Sequence, residues 1–166
     1  SLRSKLYETD TNLVGAIGVG DPVCLSAGYI QRWTTALASA FVGVVRGCYD
    51  SNKRPLTHRL PTNANYLNAS TAGWVDVVDD PNTVFAVECL TSVGPSNIGA
   101  IALVNVSSLN SATGISRAHI ATFGSADADA AFKIVGLAPS ELATTVAGSP
   151  NNDVEVVSLL HFTKRN

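Results

Sequence analysis

GWVDVVDDPNTVFAVECL, running from Gly73 to Leu90, decides how this chain is read. Asp76, Asp79 and Asp80 crowd a proline between two apolar runs. Either the carboxylates gather a metal or do acid–base work, or the stretch is strand, turn, strand. Strand alternation puts Phe85, Val87 and Cys89 on one face and Val84, Ala86 and Glu88 on the other. Trp74, Asp76 and Val78 share a face of the preceding run. DDPN, Asp79–Asn82, has turn chemistry: Pro fixes φ, and Asp or Asn bonds back to the backbone. Pro81 also biases Asp80 away from helix. A metal needs converging oxygens, and no further ligand stands at a set spacing. The stretch therefore reads as two strands joined by a turn whose carboxylates face solvent.

Working outward, the rest of the chain repeats the pattern of short apolar runs punctuated by Gly, Pro, Asn, Asp and Ser. Strands are expected near Val14–Val19, Pro22–Leu25, Tyr29–Trp33, Phe41–Arg46, Trp74–Val78, Thr83–Leu90, Ile98–Val106, Ile115–Phe123, Phe132–Leu137 and Val154–Phe162. Val, Ile, Thr and aromatics dominate them. VGDP (Val19–Pro22), SAG (Ser26–Gly28) and SPNN (Ser149–Asn152) fit turns. Thr34–Phe41 and Ser125–Phe132 have short helical character, the second with a capping Ser and early Asp. No repeat of fixed period is evident.

The fold class that follows is all-β, a small antiparallel barrel or sandwich with an extended N-terminal arm and a long polar loop. Residues 1–12 are polar and aperiodic and read as the arm. Residues 13–166 form one β-rich domain, with the loop at 50–72. Long aperiodic loops are usually functional or packed on a partner.

The chain has 166 residues, enough for one domain with a real core, burying about 70% of its extended surface. Only 14% of residues are charged, against roughly a quarter in ordinary soluble proteins. So little charge leaves a surface poorly guarded against association, which fits one that meets a partner. The net charge of −2 offers no basic field for nucleic acid. Lys164–Arg165 and Arg3 with Lys5 read as solvated terminal charges. No apolar run approaches the about 18 residues of a membrane span. The N-terminus lacks the apolar core of a signal peptide. The absence of Met and the start at Ser1 suggest a trimmed initiator and a complete cytoplasmic product.

Catalytic and metal patterns fail one by one. Cys24, Cys48 and Cys89 are odd in number, lack CxxC spacing and sit among apolar residues, so they read as buried small hydrophobes. Asp127 and Asp129 open like a calcium loop, but the sixth and twelfth positions are Phe132 and Ala138. His58, His119 and His161 are isolated, without HExxH spacing. GAIGVGDP (Gly15–Pro22) is neither GxGxxG nor a Walker loop and reads as turn-forming. No GxSxG occurs. The expectation is a non-enzyme with no cofactor and no metal.

The order GDPV (Gly20–Val23), FVGVVRGCYD (Phe41–Asp50), VDVVDDPNTVFAVE (Val75–Glu88), GISRAHI (Gly114–Ile120), FKIVGL (Phe132–Leu137) and VEVVSLLHF (Val154–Phe162) resembles the capsid decoration, or cement, proteins of tailed bacteriophages. The likeness runs from about Gly15 to Phe162 on short apolar motifs. That family carries a longer, Trp-containing segment where this chain has HRLPTNANYLNASTAG (His58–Gly73), and Gln more often at Glu88. The loop therefore transfers least. The resemblance implies a virion protein on the outer capsid surface, made in the host bacterial cytoplasm. It would bind the major capsid protein at junctions between subunits and associate with itself as a dimer or trimer, without nucleic acid or membrane. The residues expected at its interfaces are Leu2, Arg3, Leu6 and Tyr7 in the arm, Arg54, His58, Arg59 and Tyr66 in the loop, and Arg165. Two other readings stand beside it. One is a head-fibre or tail-associated module that binds receptor glycans, with Trp33, Tyr49, Tyr66 and Trp74 as the aromatics. The other is a small trimeric β-barrel enzyme with a site between subunits.

The turn reading makes a direct prediction. Calcium or magnesium should not shift the thermal midpoint of the wild type or of Asp79→Asn with Asp80→Asn. A gain of several degrees with metal, lost in the double variant, would overturn it.

Overall fold

A computed structural model describes residues 3–34, 40–57, 65–106, 109–124, 132–138 and 152–159. These described residues hold ten strands: β1 Ser4–Glu8, β2 Pro22–Ser26, β3 Tyr29–Arg32, β4 Phe41–Tyr49, β5 Trp74–Val78, β6 Val84–Cys89, β7 Ile101–Asn105, β8 His119–Gly124, β9 Phe132–Leu137 and β10 Asn152–Ser158. The chain is all-β. The first five strands form one sheet in the order β1-β5-β4-β2-β3, and the last five close a barrel in the order β10-β6-β8-β7-β9. An isolated parallel bridge, Thr9 to Ile30, draws the two edges of the first sheet together.

The two units share one topology. In each, the first strand pairs antiparallel with the fifth, the fifth with the fourth, the fourth with the second and the second with the third. The third then meets the first in parallel, at Thr9–Ile30 in one unit and Cys89–Ile120 in the other. Irregularities also match. Arg46 bulges out of β4 before Gly47, and Val135 bulges out of β9 before Gly136. Pairing by pairing, Val75, Asp76 and Val77 coincide with Val154, Glu155 and Val156, and Glu8 coincides with Glu88. An internal repeat is therefore present where the sequence shows no period. The connections differ in length, so no constant offset exists. β2 turns into β3 through Ala27 and Gly28, whose φ values of 51° and 89° give the type I′ hairpin geometry. The β7-to-β8 connection instead runs from Val106 to Ala118.

One hydrophobic cluster fills the first unit, with Ile17, Val23, Ile30, Val42, Val75 and Val77 fully buried. The second cluster does not stop at the second unit. It joins Ile120, Ile134, Val154 and Val156 to Cys24, Trp33 and Phe41 of the first. Phe41 and Phe132, equivalent in neither unit, meet edge to face with ring centroids 5.0 Å apart.

Several expectations need correction. Residues 1–12 are not simply an arm, because Ser4–Glu8 is a strand paired along its length with β5. SKLYE looks aperiodic because an edge strand with an open face tolerates charge. Taking it away would uncover β5 rather than leave the fold untouched. Val14–Val19 is not a strand. Gly15 and Gly20 have φ of 98° and 89°, and only single bridges form, Ile17 to Leu67 and Val19 to Ile115. Gly18 lies so close to the Gly114 carbonyl that a Cβ would collide with it. The two helical candidates fall largely outside the described residues, and their last residues, Phe41 and Phe132, begin strands. The loop 50–72 is partly internal: Leu67 is buried in the first core, and Asn65 Nδ2 donates to the Thr113 carbonyl at 2.6 Å.

The shared cluster should make unfolding one transition. Trp33 and Trp74 both lie in the first unit, whereas far-ultraviolet circular dichroism sees all ten strands. Urea curves from the two probes should coincide. Separate midpoints would mean that the units unfold independently.

Candidate interaction surface

The aspartates of the opening stretch differ in role. β5 and β6 do not pair with each other, so Asp79–Thr83 carries the chain from one unit to the next rather than closing a hairpin. Asp80 behaves as a turn residue: its Oδ1 accepts the Asn82 N–H at 2.9 Å and its carbonyl accepts the Thr83 N–H at 3.1 Å. Asp79 does not face solvent. It is fully buried, a correction with a clear cause: Tyr7 of β1 and Arg3, just ahead of that strand, close over it. Tyr7 Oη donates to Oδ2 at 2.7 Å, while Arg3 places Nε 3.0 Å from Oδ1 and Nη2 3.2 Å from Oδ2. Two hydrogen bonds to Oδ2 and the guanidinium charge beside Oδ1, which accepts no hydrogen bond of its own, offset the penalty of burying the carboxylate. Burial, then the hydrogen bond and charge of Asp79, push the Tyr7 phenol well above its ordinary range. Thr9 finishes the clasp, its Oγ1 donating to the Gly73 carbonyl at 3.1 Å and accepting the Gly73 N–H at 2.9 Å.

Asp21 is the other fully buried carboxylate among the described residues. It closes the Gly-rich turn, its Oδ2 accepting the Gly18 N–H at 2.9 Å. Burial raises its pKa, opposed by hydrogen bonds from Ser116 and Gly18 and by the charge of Arg32.

The expected interface residues do not form one patch. Leu2, His58, Arg59 and Arg165 lie outside the described residues. Arg3 spends its guanidinium on Asp79, Leu6 is half-buried, and Tyr7 is held inward. Arg54 is exposed at the opposite end of the sheet, because Glu8 lies opposite Trp74, Trp74 opposite Tyr49, and Tyr49 bridges Pro55. That end is roughly 17 Å from Arg3 along β1. Tyr66 is half-buried beside Leu67. Of the four aromatics considered for glycans, Trp33 is buried at 3% exposure and Trp74 is covered by the Lys53 ammonium, 4.1 Å from its ring centroid.

An apolar feature that the sequence does not announce lies between the two units. A cavity of about 260 Å³ opens between the units, lined by Pro22 and Val44 on one side and by Phe85–Glu88, Ser116 and Ala118 on the other. It continues past Gly20, Val44, Phe85 and Ala86 into a second hollow of about 350 Å³ bounded by Val19, Arg46 and Val84. Val84 is 51% exposed and Ile115, bridged to Val19, 54%. The clue in the sequence was that the polar-facing positions of β6 begin with Val84 and Ala86 before reaching Glu88.

Cys24, Cys48 and Cys89 are buried free thiols, as their apolar neighbours suggested. Burial pushes the first two up to about 11 and about 12. Among the described residues, no three His, Cys, Asp or Glu side chains converge in a metal-holding group. Comparison with family models, curated proteins and solved structures finds no match to this chain.

The clasp is testable through pH. Tyr7→Phe should cost about 1 kcal/mol at pH 8, since the phenol is partly solvent-screened. A raised phenol pKa means the stabilisation is complete below the ordinary value of 10.0 and is lost as pH rises above it. The gap between wild type and Tyr7→Phe in urea unfolding should therefore narrow from pH 10 upward. A gap constant to pH 11.5 would show that Tyr7 does not hold Asp79.

Proposed function

We propose that this chain is a structural protein of a tailed-phage virion, a cement protein that sits on the outside of the head and stabilises junctions between major capsid subunits. The observation that carries the reading is the continuous apolar groove between the two units, flanked by exposed Val19, Val84 and Ile115. Scattered exposed hydrophobics are ordinary, whereas a contiguous apolar groove marks a contact site. The motif order from Gly20 to Phe162 supplies the kind of partner, and the 14% charge content suits a surface held against protein. The chain binds rather than catalyses, and it associates with further copies of itself on the shell. Stabilisation works by mass action: a protein that binds only the assembled shell lowers its free energy at every occupied junction. Many weak junctions add up because they are displayed on one surface. A glycan-binding role is not favoured, since Trp33 is buried and Trp74 is covered.

Quantitative mass spectrometry of purified virions tests this. Abundance comparable with the major capsid protein is the expected result. A handful of copies would move the chain to a vertex or tail, and its absence would overturn the reading.

A further inference from the structure

Among the described residues, both units leave the same seam open. Each closes between its first and third strands through one parallel pairing, Thr9 with Ile30 or Cys89 with Ile120. In the second unit that pairing includes the bond from the Leu90 N–H to the Ile120 carbonyl at 3.1 Å, and Thr91 Oγ1 adds a bond to the Ala121 carbonyl at 2.6 Å. Ahead of that point the strands diverge. In the second unit, Val84–Val87 pair with β10 on one side only. Val84 and Ala86 there turn their N–H and C=O toward the seam, where no described backbone meets them; Glu88, next in the alternation, already belongs to the Cys89–Ile120 pairing.

The two seams are finished differently. In the first unit the edge carries Lys5 and Glu8, both exposed, with the Lys5 ammonium 5.1 Å from the Tyr7 ring centroid. Charge on an edge strand, lysine above all, blocks the addition of another strand. In the second unit the residue equivalent to Lys5 is Phe85 and that equivalent to Leu6 is Ala86. No charge guards the edge until Glu88. The cavity lies in this opening, between Phe85–Glu88 and the Ser116–Ala118 segment, with core residues Val104, Phe132 and Val156 in its wall.

We propose that this seam receives an extended segment of a partner protein as a strand added beside β6, with alternate apolar side chains entering the cavity and a basic residue meeting Glu88. The shape argues for a peptide. At about 260 Å³ the cavity is smaller than the roughly 300–1,000 Å³ of small-molecule sites, yet the groove extends along β6 into the next hollow. Unpaired strand backbone is matched by another extended backbone, with pockets reading alternate side chains. Charge fixes the polarity of the segment. Asp153 lies directly opposite Glu88, Glu155 is two residues on, and none of the three has a cation within ion-pair distance among the described residues. Like charges facing each other across strands are unfavourable until a cation joins them. This inference goes beyond the capsid reading and does not depend on it.

Hydrogen exchange with defined probes decides it. The probes are blocked peptides of alternating Val and Thr with Lys at one end or the other, and the same peptides N-methylated at alternate amides. In the free protein, the seam-facing amides of Val84–Val87 should exchange at least about tenfold faster than those bonded to β10. One unmethylated peptide should slow them, its methylated form should not, and Ala86→Lys, at an exposed site, should weaken binding about tenfold or more. An unchanged thermal midpoint for Ala86→Lys confirms that the variant is folded. Protection of the edge amides in the free protein, no binding by any unmethylated peptide, or equal binding by the methylated forms would each overturn the proposal.

Discussion

A carboxylate withdrawn from water must be matched by charge and hydrogen bonds or the structure around it will not persist. Asp79 stands where that requirement organises the molecule. It is the residue at which the chain leaves the first unit for the second, and its partners are Tyr7 in the first strand and Arg3 just ahead of it. One buried group therefore fixes the terminal strand to the sheet and the direction in which the second unit departs. Around it, valines of β5 provide the apolar floor, and the Phe41–Phe132 contact joins the second unit to the first.

Much of the strand content was legible because it rests on side-chain pattern. β2, β3, β5 and β9 fall where apolar alternation and turn residues put them, and the faces of β6 follow alternation from Val84 to Cys89. What the pattern misread turned on backbone or on partners distant in sequence. Val14–Val19 is apolar enough for a strand, yet positive φ at Gly15 and Gly20 breaks the extended run. SKLYE is polar enough for a tail, yet β5, some seventy residues away in sequence, supplies its hydrogen bonds. Asp79 and Asp80 are the same letter. Only the fold says that one is inside and the other on a turn.

The surface was less legible than the fold. Low charge pointed to association, but the expected contact residues were chosen for polarity in the arm and loop, and Arg3 and Tyr7 prove to be engaged within the chain. The groove is built from Pro22, Val44 and Phe85, strand residues in the sequence, which become a surface because two units meet there. The repeat was hidden for a related reason. Its equivalences are carried by pairings and bulges, whereas the side chains have diverged, Lys5 against Phe85 and Thr9 against Cys89.

That divergence bears on how the chain avoids misassembly as it is made. All the pairings of the first sheet fall within residues 4–78, so it can close while the later strands are still being synthesised. A nascent second unit with the same topology then grows beside it, and tandem units of like design are prone to exchange strands. Here a swapped first strand would set Lys5 where Phe85 packs against the second core, and would strip Asp79 of both Arg3 and Tyr7. Side chains that obscure the repeat in the sequence thus act as proofreading during biogenesis, keeping each strand with the unit it was made for.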